Sequence, residues 1–157
     1  MSEDQVRERG VNRVVMAVRD LDAGREFYEK LLGCTFHHGN DDEAATFGVR
    51  MLFSWDAGIE LVAPIEGQGS YVEKILEERG EGIIGLVWAV ADADASKAAG
   101  AELGVTTFHT LDYSQEQIDA DLQGRFTRYY EHFMAGPKTP LGNASILVGE
   151  FDSPGDR

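Results

Sequence analysis

Val11 to Val18 is a run of β-branched and apolar residues that stops at Asp20 and Asp22, either of which can cap a helix. Leu21, Gly24, Tyr28 and Leu31 then recur at helical spacing until Gly33, so the pattern predicts a strand followed by a helix with a glycine C-cap. Thr35 to His38, Ala44 to Trp55 and Ile59 to Ala63 read as three further strands, parted by turns at Gly39-Asn40 and Ala57-Gly58. Residues Ile65 to Gly82 carry glycines and a short helical pattern through Tyr71, Val72, Ile75 and Leu76, as a linker would. The cycle then restarts. Ile83 to Val90 is a strand, Asp92 to Leu103 a helix stopped by Gly104, and Val105 to Thr110, Phe126 to Ala135 and Ala144 to Phe151 are strands. Leu111 to Gly124 inserts a polar segment, helical or irregular, and Pro137, Pro140 and Gly142 mark the last hairpin loop.

The restart is visible in the residues themselves. Ala17-Val18-Arg19-Asp20-Leu21-Asp22-Ala23 returns 72 positions later as Ala89-Val90-Ala91-Asp92-Ala93-Asp94-Ala95, a spacing too long for a solenoid and right for a duplicated half-domain. Both halves are βαβββ, and the fold class is α+β. The expected boundaries are a flexible N-terminus over 1–10, a first module over 11–64, a linker with a short helix over 65–82, a second module over 83–151 and a tail over 152–157. Polar groups from both copies can converge at the seam between them.

Composition narrows the partners. A net charge of −14 without a Lys/Arg cluster argues against nucleic acid. No stretch approaches the roughly 18 apolar residues of a membrane span. The charged segment Met1 to Gly10 is no signal peptide, so a cytoplasmic location and no membrane contact are expected. The single cysteine, Cys34, excludes an internal disulfide and a cysteine-based zinc cluster.

Val18-Arg19-Asp20-Leu21-Asp22-Ala23 followed by Phe27-Tyr28-Glu29-Lys30-Leu31-Leu32-Gly33 resembles the opening of the glyoxalase/bleomycin resistance/extradiol dioxygenase superfamily, the vicinal oxygen chelate group. Gly58-Ile59-Glu60-Leu61-Val62 resembles its fourth strand. The resemblance implies two βαβββ modules whose mixed sheet forms a cupped, barrel-like cavity, a small-molecule ligand or substrate, and a homodimer. It also implies, for metal-dependent members, a histidine on the first strand, a glutamate on the fourth, and a histidine or similar ligand and a glutamate at the matching positions of the second half. Five residues before Val18 and Val90 stand Arg13 and Gly85. Glu60 matches the glutamate, and laying Ser145-Ile146-Leu147-Val148 over Glu60-Leu61-Val62 puts Ser145 at the last position, with Ala144 or Ile146 there if the strand slips by one. With three of four ligands absent, no metal cofactor is expected; a relocated site of Glu60, His132 and one of His37, His38 or His109 is the alternative.

Period-two alternation sends Arg13, Val15 and Ala17 to one face, which the resemblance makes the cavity face. Arg13 would there pair with Glu60 or bind a substrate anion. Gly85, Val87 and Ala89 leave room on the matching strand, and Trp88 on its other face belongs to the core beneath the second helix. In the last-but-one strand Arg128, Tyr130 and His132 share one face and Tyr129, Glu131 and Phe133 the other, and one of these faces lines the cavity. His132 is a candidate general base and Tyr130 a candidate proton donor. The run Phe47, Val49, Met51, Phe53, Trp55 offers an apolar lining or ordinary core. The candidate site is thus His132, Tyr130 and Glu60 for catalysis, with Arg13, Glu60, Arg128, Tyr130, His132, Phe53, Trp55, Val87 and Ser145 for the ligand. The reading is metal-independent binding of a small, largely apolar or aromatic molecule. The alternative is an enzyme, a lyase, isomerase or cyclase working by acid/base chemistry ahead of a glyoxalase or dioxygenase with relocated ligands.

Overall fold

The computed structural model describes residues 10–136, 139–142 and 144–154; the expected flexible segment before Gly10, Pro137 and the tail beyond Pro154 lie outside the described residues. Strand β1 (Gly10–Ala17) alternates as its sequence dictates, with Arg13, Val15 and Ala17 buried and Val14 and Met16 half-buried. Helix α1 (Leu21–Leu32) starts because Asp20 holds extended backbone angles and its carboxylate accepts the Ala23 N–H at 3.1 Å. It stops at Gly33, whose left-handed φ of 66° turns its N–H onto the Glu29 carbonyl at 2.9 Å. The second copy of the repeat does the same work: Asp92 accepts the Ala95 N–H at 2.9 Å and begins α4 (Ala93–Glu102). The repeated A-V-x-D-x-D-A is therefore a strand end joined to a helix cap.

Between the two copies lie β2 (His37–His38), α2 (Asp41–Thr46), β3 (Val49–Ser54), β4 (Ile59–Pro64), α3 (Tyr71–Arg79) and β5 (Gly82–Ala89). The expected strand from Ala44 is shorter than its pattern suggested. Asn40 accepts the Glu43 N–H at 3.0 Å, and Asp41, Asp42 and Glu43 face the positive end of the helix, so residues 41–46 coil and Phe47 becomes the residue that closes the helix. After α4 come β6 (Thr106–Asp112), α5 (Gln115–Asp121), β7 (Arg128–Ala135) and β8 (Ser145–Asp152). The polar insertion thus holds a short helix with a capping box between Ser114 and Gln117. The fold is α+β, built from two βαβββ modules, and no helix among the described residues is long and apolar enough to cross a membrane.

Among the described residues two compact units result, one from Arg13 to Ile84 and one from Gly85 to Pro154 together with Gly10 to Asn12. In the first, the strands run in the order β2-β3-β4-β1, with β1 and β4 parallel and β3 antiparallel to both β2 and β4. One face of this sheet meets α1: Val18, Leu52 and Leu61 are buried there with Leu21, Tyr28 and Met16 packed against them. A methyl group on Gly24 of α1 would stand 3.3 Å from Leu61, which is why that helix carries a glycine where it crosses the sheet. Glu60 is directly across from Val15 on one side and from Phe53 on the other, so these three share the face turned away from α1.

In the second unit the order is β5-β8-β7-β6, again with one parallel pair, β5 and β8. The face toward α4 carries Trp88, Ile146, Val148 and Met134 around Val105, the core position expected of Trp88. Val87, Leu147 and Phe133 are in register on the opposite face, as are Ala89, Gly149 and Glu131.

Candidate functional site

The first module places a buried ion pair on the face turned away from α1. Arg13 Nε donates to Glu60 Oε2 at 2.6 Å, with the two residues only 3% and 6% exposed. The guanidinium carbon lies 5.3 Å from the ring centre of Phe53 and 5.4 Å from that of Trp55. Those two rings stack on each other at 4.9 Å with planes 4° apart. Aromatic faces are electron-rich, so the stack supports the cation from the side while Glu60 compensates it in line. Tyr71, at the start of α3, lies within electrostatic range: desolvation, and after it the charge of Glu60, push its phenol up to about 12, although the residue as a whole is 49% exposed. Of the residues expected in the site, Arg13, Glu60, Phe53 and Trp55 are thus brought together. Tyr71 was visible only as part of the linker's short helical pattern, and nothing in that pattern pointed toward Glu60.

In the second module the expected residues divide. Val87 lies on the face turned away from α4, and Ser145 pairs with Gly85 on that face. Arg128, Tyr130 and His132 occupy the other face, so they do not line one surface with Val87 and Ser145, and the expected cluster is corrected accordingly. The physical reason is α4. Its Asp94 Oδ1 accepts from the Tyr130 hydroxyl at 2.7 Å and meets His132 Nε2 at 2.9 Å, while Glu150 Oε1 takes Arg128 Nε at 3.0 Å and its other oxygen takes the Ala93 N–H at 3.0 Å. These partners pull the polar face of β7 under the helix. His132 is fully buried, with Nδ1 held 2.8 Å from Thr110 Oγ1. The hydrogen bonds from Tyr130 and His132 hold the Asp94 carboxyl below its ordinary value, and the Asp94 bond leads in raising the Tyr130 phenol to about 12.

The face of β7 turned away from α4 carries the residues the sequence reading set aside. Glu131 has no exposed surface and accepts the Tyr129 hydroxyl at 3.0 Å. Tyr129 is stacked on Tyr113 and packed against Phe126 and Phe151. Alternation had sorted Glu131 correctly with Tyr129 and Phe133; nothing in the period told which face the helix would cover.

The register also moves the last of the four family positions. The repeat equates Val15 with Val87; Val15 pairs with Glu60 and Val87 with Leu147, so the counterpart of Glu60 is Leu147, two residues beyond Ser145. The four positions are therefore Arg13, Glu60, Gly85 and Leu147. A guanidinium has no lone pair to give a metal, and leucine has none. Gly85 has no side chain, and a Cβ there would already stand 3.2 Å from the Ser145 carbonyl oxygen. This donor set does not fit a divalent ion, and among the described residues no group of three His, Cys, Asp or Glu side chains gathers elsewhere in a way that would hold one.

Residues 12–120 match the family model of the Glyoxalase/Bleomycin resistance protein/Dioxygenase superfamily. The chain belongs to this superfamily. Solved structures of superfamily shape agree with it: methylmalonyl-CoA epimerase from Mycobacterium tuberculosis is 28% identical, over 93% of this chain and 89% of that one, with a TM-score of 0.65. A methylmalonyl-CoA epimerase in complex with methylmalonyl-CoA and NH4+ is 24% identical over 93% and 99% of the two chains, TM-score 0.68. A hypothetical protein from Bacillus halodurans C-125 is 18% identical over 92% and 96%, TM-score 0.65, a likeness of fold alone. No curated protein sequence matches this superfamily member.

Proposed function

We propose that this superfamily member binds a small, largely apolar or aromatic organic molecule without a metal, using the Arg13–Glu60 pair and the Phe53–Trp55 stack as its recognition surface. The observation that supports this is the ion pair itself: a permanent cation, 3% exposed, stands at the position where metal-dependent relatives are expected to carry a ligand, and a carboxylate 2.6 Å away compensates it. An arginine is charged at every working pH and presents its donors in a fixed plane, so it can hold a substrate oxygen without the open coordination site that a metal needs. The neighbouring stack offers an aromatic guest a flat partner.

The test uses Trp55 as the reporter. Titration of the purified chain with a panel of planar aromatic carboxylates, amines and neutral aromatics is read by tryptophan emission, with Trp88→Phe removing the other indole. A saturable change that persists in EDTA and is lost in Arg13→Lys and Phe53→Leu is the expected result; loss of the signal on EDTA treatment with recovery on adding one divalent ion would overturn it.

A second reading, an isomerase acting by proton transfer, draws on the likeness to methylmalonyl-CoA epimerases. Glu60 is then the carboxylate beside the reacting carbon and Arg13 the cation that steadies a developing enolate oxygen. Incubation with methylmalonyl-CoA in D2O separates the two readings: deuterium at the α-carbon, abolished in Glu60→Gln, marks turnover, and binding without exchange marks sequestration.

A further inference from the structure

Beneath α4 lies a set of polar groups that plays no part at Arg13 and Glu60. Asp94 is an acceptor with a lowered pKa, so it is an anion at neutral pH, and the His132 nitrogen facing it at 2.9 Å, Nε2, is the one that donates to it. In the ring that carries this one proton, Nδ1 is the nitrogen with the lone pair. The group 2.8 Å from Nδ1 is the Thr110 hydroxyl, placed to donate to it. His132 is sealed from solvent, whereas Thr110 stands exposed on β6, the edge strand of its sheet, and Asp94 keeps 70% of its side chain open. Tyr130, bound to the same Asp94 oxygen at 2.7 Å, fixes that carboxylate from a second side.

The sequence of contacts is an accessible hydroxyl, a buried imidazole of set tautomer and an anionic carboxylate that sets it. The first module has no such chain. The register that equates Phe53 with Phe133 equates Leu52 with His132, and Leu52 is ordinary core. His132 itself has no exposed surface. Here both partners sit at the surface, and the one facing the lone pair is a nucleophile.

We propose that Thr110 is an acyl-accepting nucleophile, with His132 Nδ1 as its base and Asp94 and Tyr130 as positioning residues, and that its substrates are activated acyl donors such as aryl esters. In the step, Thr110 Oγ forms a bond to the acyl carbon as its proton passes to Nδ1. The bond from that carbon to the donor's phenolic oxygen breaks, and the imidazolium returns the proton to the departing phenolate. No oxidant, reductant or metal is needed, and the product is an ester on Thr110.

The experiment incubates the full chain with p-nitrophenyl acetate and follows p-nitrophenol release, intact mass and peptide mapping. One acetyl group per chain on Thr110 is expected, absent in Thr110→Val, retained in Thr110→Ser and formed about 10²-fold more slowly in Asp94→Asn. Asp94→Asn is chosen because its exposed side chain can change without opening the core, and circular dichroism checks that each variant keeps the wild-type fold. No acetyl on Thr110 in the wild type, acetylation confined to lysine or His109, or an unchanged rate in Asp94→Asn would each overturn the proposal. Because the Arg13–Glu60 reading concerns the other module and is read by Trp55 emission, either can fail without the other.

Discussion

Replacing Arg13 by methionine keeps an unbranched, flexible side chain of somewhat smaller volume and removes the guanidinium with its charge and donors. Glu60, 6% exposed, then loses the partner 2.6 Å away and stays inside the protein. Removing one member of a buried ion pair costs roughly 3–5 kcal/mol, because the remaining charge keeps its desolvation penalty. For a chain of this length about 2–4 °C of melting temperature goes with each kcal/mol, so Arg13→Met is expected to melt roughly 6–20 °C lower. Glu60→Leu strands the opposite charge and is expected to lose a similar amount. The double variant Arg13→Met/Glu60→Leu strands neither charge of this pair. Its loss should fall short of the two single losses together by about 1.5–3 kcal/mol, the coupling typical of directly bonded groups. Urea unfolding followed by circular dichroism and by tryptophan emission gives the four free energies, with equal slopes as the check that all four unfold alike. A single-variant loss under about 1 kcal/mol, the size seen for exposed pairs, or additive losses within about 0.5 kcal/mol, would refute the buried pair.

Three other expectations follow from local geometry. Asp20→Ala and Asp92→Ala each remove a helix cap and should each cost about 1 kcal/mol in the same unfolding assay, since each carboxylate accepts one N–H at the start of its helix. Gly39→Ala places a methyl 2.5 Å from the Phe53 ring, so the ring must swing off Trp55 and the Trp55 emission should shift without a change in overall fold by circular dichroism. The Tyr130 phenol is raised to about 12 from an ordinary 10.0, so its bond to Asp94 stabilises the fold fully below pH 10 and is lost as the pH climbs toward 12; Asp94, lowered from 3.8, contributes above that value and loses its contribution as the pH falls below it. Stability measured from pH 3 to pH 12 should therefore fall at both ends by less in Tyr130→Phe than in the wild type, and phenolate absorbance should lose one late-titrating group in that variant.

The strand-and-helix skeleton was legible because its signals are local. An aspartate that can cap, an apolar stripe and a glycine that accepts φ of 66° sit within a dozen residues of one another, and Asp20, Leu21 and Gly33 needed no distant partner to be read. Residues 41–46 were misread for the same locality taken the wrong way: Phe47 continues the alternation of Val49 and Met51 back toward Ala44, but Asn40 offers a cap that the alternation does not register. That Arg13 and Glu60 share a face was legible through the family resemblance, and the parallel register of β1 and β4 is what puts them there. The split in β7 was not legible. Period two divides Arg128, Tyr130 and His132 from Tyr129, Glu131 and Phe133, yet which set lies under a helix depends on where Asp94 and Glu150 arrive from other elements. Ser145 shows the limit of register: a two-residue slip keeps the face and changes the partner, and only Leu147 opposite Val87 reveals it.

The two modules share a scaffold, but the second has put polar groups under its helix as well as on the far face, where Glu131 lies. The first keeps Leu52, Leu61 and Val18 under its helix and a charged pair on the far face; the second keeps His132, Tyr130 and Asp94 under its helix where Leu52 has its counterpart. A polar group in that place has a cost in burial, and the test of whether stability or chemistry keeps it there is His132→Leu, which rebuilds the first module's arrangement in the second. Asp94 and Thr110 are exposed, so losing the imidazole strands neither of them in the interior; water takes its place on both. Leucine adds apolar contact beside Val148, directly across from position 132. The variant is expected to be as stable as the wild type or up to about 1 kcal/mol more stable in urea, since removing one partner of a hydrogen bond is costly only where the group left behind is buried, and Asp94 and Thr110 are exposed. It should at the same time lose acetylation at Thr110. A loss above about 2 kcal/mol would instead make the imidazole a structural bolt between β6, β7 and α4, because only a network that holds those elements together would cost that much to remove.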